Sequence, residues 1–573
     1  MEAFLEAFYS ARDTYTDVYL GFARYAVPML ASILLLRCIF PLLTFRREPE
    51  IWAWLELPGN NLVPITHWEN VIGRSHSCDV NINYTTISRN HAVLTRYDDG
   101  SWTITDTDSK SGVQVNGKPV SISVVNPGDT ISVGGVDMKL QPITAVQEQR
   151  QVQLRTKAGS LWDSAVNLLA LTLIQCMMAL GFLLAADQAE HLPVLQGFGG
   201  IIACQWLLLI FYGIIRRTSF EVETLAFFLC SLGMAAIASV RPEEATKQLI
   251  AMGLGVLSFL IIGWSLRDLD RAKVFRYLAA FAGVGFLVVT LVFGKEFYGA
   301  RNWLILGGLS LQPSELTKVC FVFVGASTMD RIMNKRNLIL FILYSMVICG
   351  CLALMNDFGT ALVFFCAFLI IAYLRSGSVG TIALAITALA FAGVLALKIA
   401  PHALRRFSAW RHVWEDPYDT GYQQVQALMC LAEGGLFGLG PNRGKLQRIF
   451  AADSDIAFAT LSEEWGLILA VMAVVCILAL GLFVIRTARV ARSSFYTIGA
   501  CTAAGILVIQ ASLNCLGTLD ILPFTGVTFP FLSNGGTGMI GAWGLLAFVK
   551  AADTRQNASF AVKLNKREVQ ADE

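Results

Sequence analysis

From Leu161 to Lys550 the chain carries about twelve apolar segments, most near the ~20 residues a helix needs to cross a bilayer. They lie near 162–185, 194–215, 219–240, 246–266, 275–294, 314–330, 337–355, 358–375, 379–399, 461–486, 495–517 and 532–550. In hydrocarbon each backbone N–H and C=O must be satisfied internally, and segments of this length do so as helices. The expected fold is therefore a polytopic α-helical membrane protein. Composition agrees: 15% of residues are charged, where a soluble domain has about 25%. The net charge of +2 gives no basis for a nucleic-acid partner. The 13 cysteines fall mostly inside apolar segments and read as small buried hydrophobes.

Two polar stretches interrupt this pattern. The first follows an apolar anchor, Tyr19 to Leu43, and runs from Glu48 to Pro142 with strand-like alternation. The second, Ala400 to Thr460, joins two apolar segments and is far longer than a connection between packed helices requires. It carries Trp410, Trp414, Arg405, Arg406, Arg411, Arg443, Lys445, Arg448 and Asp455. The chain then divides into an anchor (1–47), a soluble domain (48–142), a Gln-rich linker (143–160), a first pair of membrane segments (161–217), a main membrane domain (218–551) and a polar tail (552–573).

Lysine and arginine placement sets the orientation. In an alternating count Arg46, Arg47, Arg216, Arg217, Arg267, Arg375, Arg486, Lys550 and Arg555 share one side, the cytoplasm. The soluble domain and tail are then inside, and the 295–313, 400–460 and 518–531 loops outside. The cations of the long outer loop run against the simple rule and point to an anionic ligand such as a diphosphate.

The soluble segment reads VIGRSHSCDVNI, then TISRNHAVL, then a strand leading to an Asn116-Gly117 turn, a hairpin signal, and finally NPGDTISVGG. These motifs strongly resemble a forkhead-associated (FHA) domain. The resemblance implies an all-β sandwich that binds phosphothreonine, placed here as an insertion in a membrane protein. Arg74 and Ser88 match the family's phosphate-binding positions, and a guanidinium is suited to bidentate phosphate pairing. Arg89 adds a neighbouring cation, and His91 matches a position that shapes the loop. The resemblance also implies Lys110 and Ser111 as further ligand contacts. Ser111 departs from the Asn common in the family.

The membrane segments carry GARNWLILGGLSLQPSELTKV, NDFGTALVF, GYQQVQALMCLAEGGLFGLGPNRGKLQ, AADSDIAFATLSEEWGLILA and LPFTGVTFPFLSNGGTGMIGAW, in that order. Together they strongly resemble the SEDS family (shape, elongation, division and sporulation proteins), over about Phe220 to Lys550. That implies a core of about ten helices, with extra N-terminal helices added, and polymerisation of lipid II into peptidoglycan glycan strands.

Such a reaction needs a base for the attacking sugar hydroxyl, stabilisation of a departing diphosphate, and a groove for two lipid-linked sugars. Asp455 stands at the membrane surface just before an apolar helix, where partial burial raises a carboxylate pKa toward the working range of a base. It also matches the acid of the family's Asp-Phe-Ile-Phe motif, read here as Asp455-Ile456-Ala457-Phe458 without the preceding proline. It is the catalytic candidate, and Asp453 is its competitor. Arg405, Arg406, Arg411, Arg443, Lys445, Arg448, Lys295 and Arg301 are all available for the diphosphate, and the sequence does not choose among them. A divalent cation, Mg or Mn, could share that work.

Glu315 and Lys318, at i and i+3, are placed to pair inside the membrane and match the family's Gln-Pro-Ser-Glu region. Asp357 either caps its helix or lines the cavity. Trp303 matches an outer-loop aromatic, and Glu463 and Glu464 match the family's acidic pair. Ser533, Gly535 and Gly536 belong to an unwound segment approaching the cavity, in which Asn534 replaces the family's common Tyr. The resemblance further implies a class B penicillin-binding protein as transpeptidase partner. It places the chain in the bacterial cytoplasmic membrane, with the FHA domain reading a phosphothreonine protein of a Ser/Thr kinase pathway. The rival functions are a lipid II flippase and a phospho-regulated scaffold without chemistry. Division, elongation and sporulation roles are not distinguished.

Overall fold

The computed structural model describes residues 2–44, 50–76, 78–97, 100–154, 160–185, 191–297, 299–306, 309–329, 335–376, 379–399, 401–488, 490–491, 493–555 and 558–560. Arg46 and Arg47, used above for orientation, lie outside them. Helix α1 (Glu2–Thr44) leads into eleven strands: β1 (Ala53–Leu57), β2 (Asn61–Ile65), β3 (Glu69–Gly73), β4 (Val80–Asn81), β5 (Ala92–Arg96), β6 (Trp102–Asp106), β7 (Val113–Val115), β8 (Lys118–Val120), β9 (Ile122–Val125), β10 (Thr130–Val133) and β11 (Val136–Pro142). They form two sheets, β2-β1-β11-β10-β7-β8 and β4-β3-β5-β6-β9. Alternate residues such as Leu55, Ile72, Leu94, Ile104, Ile131 and Leu140 fill the space between them. Asn116 and Gly117, at φ 51° and 77°, form a two-residue hairpin between β7 and β8, with Val115 opposite Lys118.

Helix α2 (Ala145–Leu154) occupies the linker. The membrane domain follows as α3 (Leu161–Ala185), α4 (His191–Ile214), α5 (Glu221–Val240), α6 (Ala245–Leu266), α7 (Leu269–Phe293), α8 (Pro313–Met329), α9 (Lys335–Leu354), α10 (Phe358–Ser376) and α11 (Val379–Ile399). The long loop folds into three short helices, α12 (Pro401–Ala409), α13 (Tyr422–Gly434) and α14 (Ala457–Trp465). The last helices are α15 (Leu467–Ala488), α16 (Ser494–Thr518) and α17 (Gly536–Ala551). Among the described residues, 10 helices are long and apolar enough to cross a membrane. Every expected apolar segment contributes a helix, with one break: the 461–486 segment divides at Gly466, between α14 and α15. A small sheet of β12 (Lys295–Phe297), β13 (Ala300–Leu306) and β14 (Leu309–Leu311) fills the 295–313 loop.

Helix α5 is the axis of the bundle, buried from Glu221 to Ser239. Its charged end is compensated: Lys550 Nζ lies 3.0 Å from Glu223, and Arg555 lies 3.2 Å from Glu221 and 2.7 Å from Asp553. Buried charges survive only with such pairing. The N-terminal helices pack on this core, α1 against α3 and α15, and α4 against α5 and α6. On α1, Asp17 pairs with Arg443 of the long loop, and Tyr19 Oη donates to Met177 O at 2.6 Å.

The two domains meet at the N-terminus of α16. Glu69, the first residue of β3, accepts from Ser493 Oγ (3.0 Å), Ser494 N (3.1 Å) and Ser494 Oγ (2.6 Å). A carboxylate is favoured there because the first N–H groups of a helix are unpaired and its dipole is positive. Trp68 beside it packs on the membrane core. The 25 residues of α16 span about 37 Å at 1.5 Å each, and its far end meets Asp455.

Candidate active site and candidate phosphate-reading rim

At that far end the chain from Ala451 to Ile456 makes a tight turn ahead of α14, with Ala451 at φ 56°. Three consecutive carbonyls of the turn are each tied to neighbouring segments. Asp453 O accepts from Asn534 N at 2.7 Å, Ser454 O from Ser533 Oγ at 2.6 Å, and Asp455 O from Asn514 Nδ2 at 2.9 Å. Ser533 Oγ in turn accepts from Phe529 N at 2.8 Å, so the unwound stretch before α17 is braced by the same contact.

The Asp455 carboxylate is half-buried and lies against Gly526. Gly526 sits at φ +67°, and a Cβ there would stand 3.3 Å from Asp455 Oδ2, so glycine leaves the carboxylate room. Arg406 Nη1 donates to Thr525 O at 2.9 Å, which brings its guanidinium beside the same carboxylate. Burial pushes the Asp455 carboxyl up to about 7. Arg406 draws it down, while Asp453 and Asp357 push it further up. A group half-ionised near neutrality is well matched to proton abstraction.

Asp357 caps α10 by accepting from Thr360 N at 3.1 Å, and its other oxygen accepts from Asn302 Nδ2 at 3.3 Å. It therefore both caps its helix and acts electrostatically on Asp455. Trp303 follows Asn302 on β13, half-buried and opposite Lys295. Lys318 Nζ donates to Glu315 Oε1 at 2.5 Å, with both side chains buried. Glu315 lines a cleft with Gln510, Phe529, Ser533, Gly535 and Met539. Gly536 begins α17 beneath it. Arg405 is exposed on α12.

Glu463 and Glu464 are buried but face other neighbours. Glu463 accepts from Lys445 N (2.6 Å) and Leu446 N (3.1 Å) and so shapes the 443–448 turn. Glu464 accepts from Ser239 Oγ of α5 at 2.5 Å, and burial pushes its carboxyl up to about 8. Asp453 is tied to Asn534, whose Nδ2 donates to Asp453 Oδ2 at 2.6 Å and to Glu244 Oε2 at 2.9 Å, and it stands 3.6 Å from Arg241. An amide can bridge two carboxylates with its two protons, whereas a tyrosine hydroxyl has one. That is the physical sense of Asn534. Among the described residues, no group of three or more His, Cys, Asp or Glu side chains is placed to hold a metal ion.

Asn514, Arg241 and Glu244 were not singled out from sequence. The available signal was a polar pair, Gln510 and Asn514, four residues apart inside an apolar span.

On the FHA domain, the loops after β3, after β4 and after β6 converge. Arg74 is exposed, with its backbone N bonded to Ser88 O at 3.0 Å. Ser88 Oγ accepts from Lys110 N at 3.1 Å, and Ser111 Oγ donates to Thr86 O at 2.8 Å. Arg89 is exposed beside them. The buried His91 binds both loops: Ser88 N donates to its Nδ1 at 3.1 Å, and Nε2 lies 3.0 Å from Gly112 O. Gly73 permits the close approach, since a Cβ there would stand 2.3 Å from Arg89 O.

Residues 196–558 match the FtsW/RodA/SpoVE cell cycle protein model, and residues 70–134 match the FHA domain. The chain belongs to the FtsW/RodA/SpoVE family and carries an FHA domain within it. It is 32% identical over 345 residues to the probable peptidoglycan glycosyltransferase FtsW of Coxiella burnetii, covering 54% of this chain and 91% of that one. It is 29% identical over 332 residues to the peptidoglycan glycosyltransferase RodA of Mycobacterium tuberculosis, covering 54% of this chain and 70% of that one. Among solved structures, a chain of a peptidoglycan synthase complex gives a TM-score of 0.48 at 26% identity, covering 58% of this chain and 96% of that chain. The Thermus thermophilus rod-shape-determining protein RodA gives 0.41 at 24% identity, covering 58% and 95%.

Proposed function

We propose that this peptidoglycan glycosyltransferase polymerises lipid II at the outer face of the bacterial cytoplasmic membrane, with Asp455 as general base. The enzyme class rests on family membership and on the relatives' names. The single observation that carries the base assignment is the Asp455 carboxyl, raised to about 7 by burial, beside Arg406 and at the end of α16 opposite the FHA domain. The carboxylate takes the proton of the acceptor sugar hydroxyl as that oxygen attacks the anomeric carbon of the donor. The donor's bond to its lipid diphosphate breaks, and the diphosphate leaves with the electron pair. Arg406, with Arg405 on the same short helix, supplies positive charge for the leaving group.

The FHA domain reads phosphothreonine on the cytoplasmic side through Arg74, Ser88, Arg89, Lys110 and Ser111. A class B penicillin-binding protein supplies the crosslinking step. The opposite ends of α16 support this sidedness, because the lysine and arginine pattern puts the FHA end inside. The test is the purified chain with such a partner and lipid II, assayed for glycan chains. Chain formation abolished by Asp455→Asn supports the reading. Lipid II movement across vesicles without chain formation replaces it with transport.

A further inference from the structure

We propose that Asn514 is a positioning residue, one that sets the Asp455 carboxylate against Gly526 and Arg406 without touching substrate. The inference rests on the reading of Asp455 as the base. Both amide protons of Asn514 are committed: Nδ2 donates to Asp455 O and to Val527 O, each at 2.9 Å. One side chain therefore joins the Asp455 turn to the extended segment 525–527. That segment also carries Gly526, against which the carboxylate lies, and Thr525, whose carbonyl holds Arg406. Asn514 is buried, and its Oδ1 makes no hydrogen bond among the described residues. The side chain is thus oriented by its two donor bonds alone, and only an amide of this length supplies both.

The other two ties of the turn, from Ser533 and Asn534, come from the segment before α17. Ser533 reaches the same stretch only at Phe529 N, two residues past Val527. Asn514 alone among the three bonds the 525–527 segment itself, which carries Gly526 and the carbonyl that holds Arg406. Its place one turn before the end of α16 gives it a rigid base, since α16 packs against α10, α15 and α17. Sequence separation explains why the role is hidden: Asn514 lies 59 residues from Asp455.

Loss of the tie should slow chemistry without weakening substrate binding, because misplacement of a reacting group by about 1 Å can cost on the order of 10²-fold. The experiment compares wild type, Asn514→Ala, Asn514→Asp and Asp455→Asn in steady-state glycan polymerisation over a range of pH. Asn514→Ala is expected to lower kcat by about 10²-fold with KM within about twofold. Asn514→Asp is isosteric and guards against misfolding. As a carboxylic acid it donates one bond, and as a carboxylate it faces two carbonyl oxygens, so its rate relative to wild type should fall as pH rises. A merely structural role would not produce that opposed pH dependence. Wild-type kcat in Asn514→Ala, or an Asn514→Asp profile parallel to wild type, overturns the proposal. An active Asp455→Asn overturns the underlying base assignment instead, so the two failures are told apart.

Discussion

Replacing Asp455 by Asn should abolish activity and stabilise the protein, and the two effects have one cause. The carboxyl moves from an ordinary 3.8 in the unfolded chain to about 7 in the folded one. Between those values the folded state holds a proton that the unfolded state has released, so stability falls as pH rises through the window. A shift of about three units corresponds to about 4 kcal/mol, and partial exposure of the group reduces this to about 2 kcal/mol. Asparagine carries no charge and removes the penalty. The variant should therefore melt a few degrees above wild type at pH 8 and level with it below pH 4, with about 10²–10⁴-fold less glycan polymerisation. Wild-type activity should itself fall on acidification below about pH 7, as the base is protonated. The assay pairs thermal unfolding in detergent, at one scan rate and two pH values, with chain formation from lipid II. Activity above about a tenth of wild type, or a melting gain independent of pH, would refute the reasoning.

Three further outcomes are expected. Arg74→Ala in the full chain should weaken phosphothreonine-peptide binding at least about tenfold, since charge-assisted hydrogen bonds contribute about 1.5–3 kcal/mol each; calorimetry with phosphorylated and plain peptides decides it, and equal binding of both by wild type would remove the site. Glu69→Ala should loosen the FHA domain from α16 while leaving phosphopeptide affinity unchanged, read as faster amide exchange in the first turn of α16, whereas unaltered exchange would show the contact to be idle. Cysteine labelling from outside should reach a cysteine placed at Tyr418, which is 91% exposed, and spare one placed at Ser109; the reverse pattern would invert the assigned sidedness.

What the sequence disclosed depended on how local the determinant was. The β7–β8 hairpin was legible because Asn116-Gly117 fits the positive φ of a tight turn with no outside help. Spans were legible from length and apolarity. The break at Gly466 was not, since glycine is common in membrane helices, and what requires it there, a φ of +90° and the backbone of Leu436 and Phe437 passing against it, comes from a distant loop. The pairing of Glu315 with Lys318 followed from i,i+3 spacing. Glu463 and Glu464 show the limit: both meet the 443–448 turn, Glu463 through Lys445 N and Leu446 N and Glu464 through Gln447, but only Glu464 also reaches Ser239 of α5. Asp455 could be named, but the three ties that hold its turn come from residues 59 to 81 positions away. The same distance concealed Glu69, which lies 425 positions from the serine it binds.

That last contact gives the FHA domain a compass bearing. A module on a free tether sweeps a wide volume and delivers its cargo from any direction. Here β3 begins at the membrane contact, Glu69, and ends at the loop bearing Arg74, so the strand itself is a spacer of about 17 Å between anchor and rim. A phosphorylated protein caught on that rim would be held at one height and one azimuth around the helix bundle, and would share its two-dimensional diffusion. On the proposed reading, such cargo would meet one face of the bundle and be turned away from the others, and the docked sandwich would serve as a jig for assembling neighbours on a chosen side.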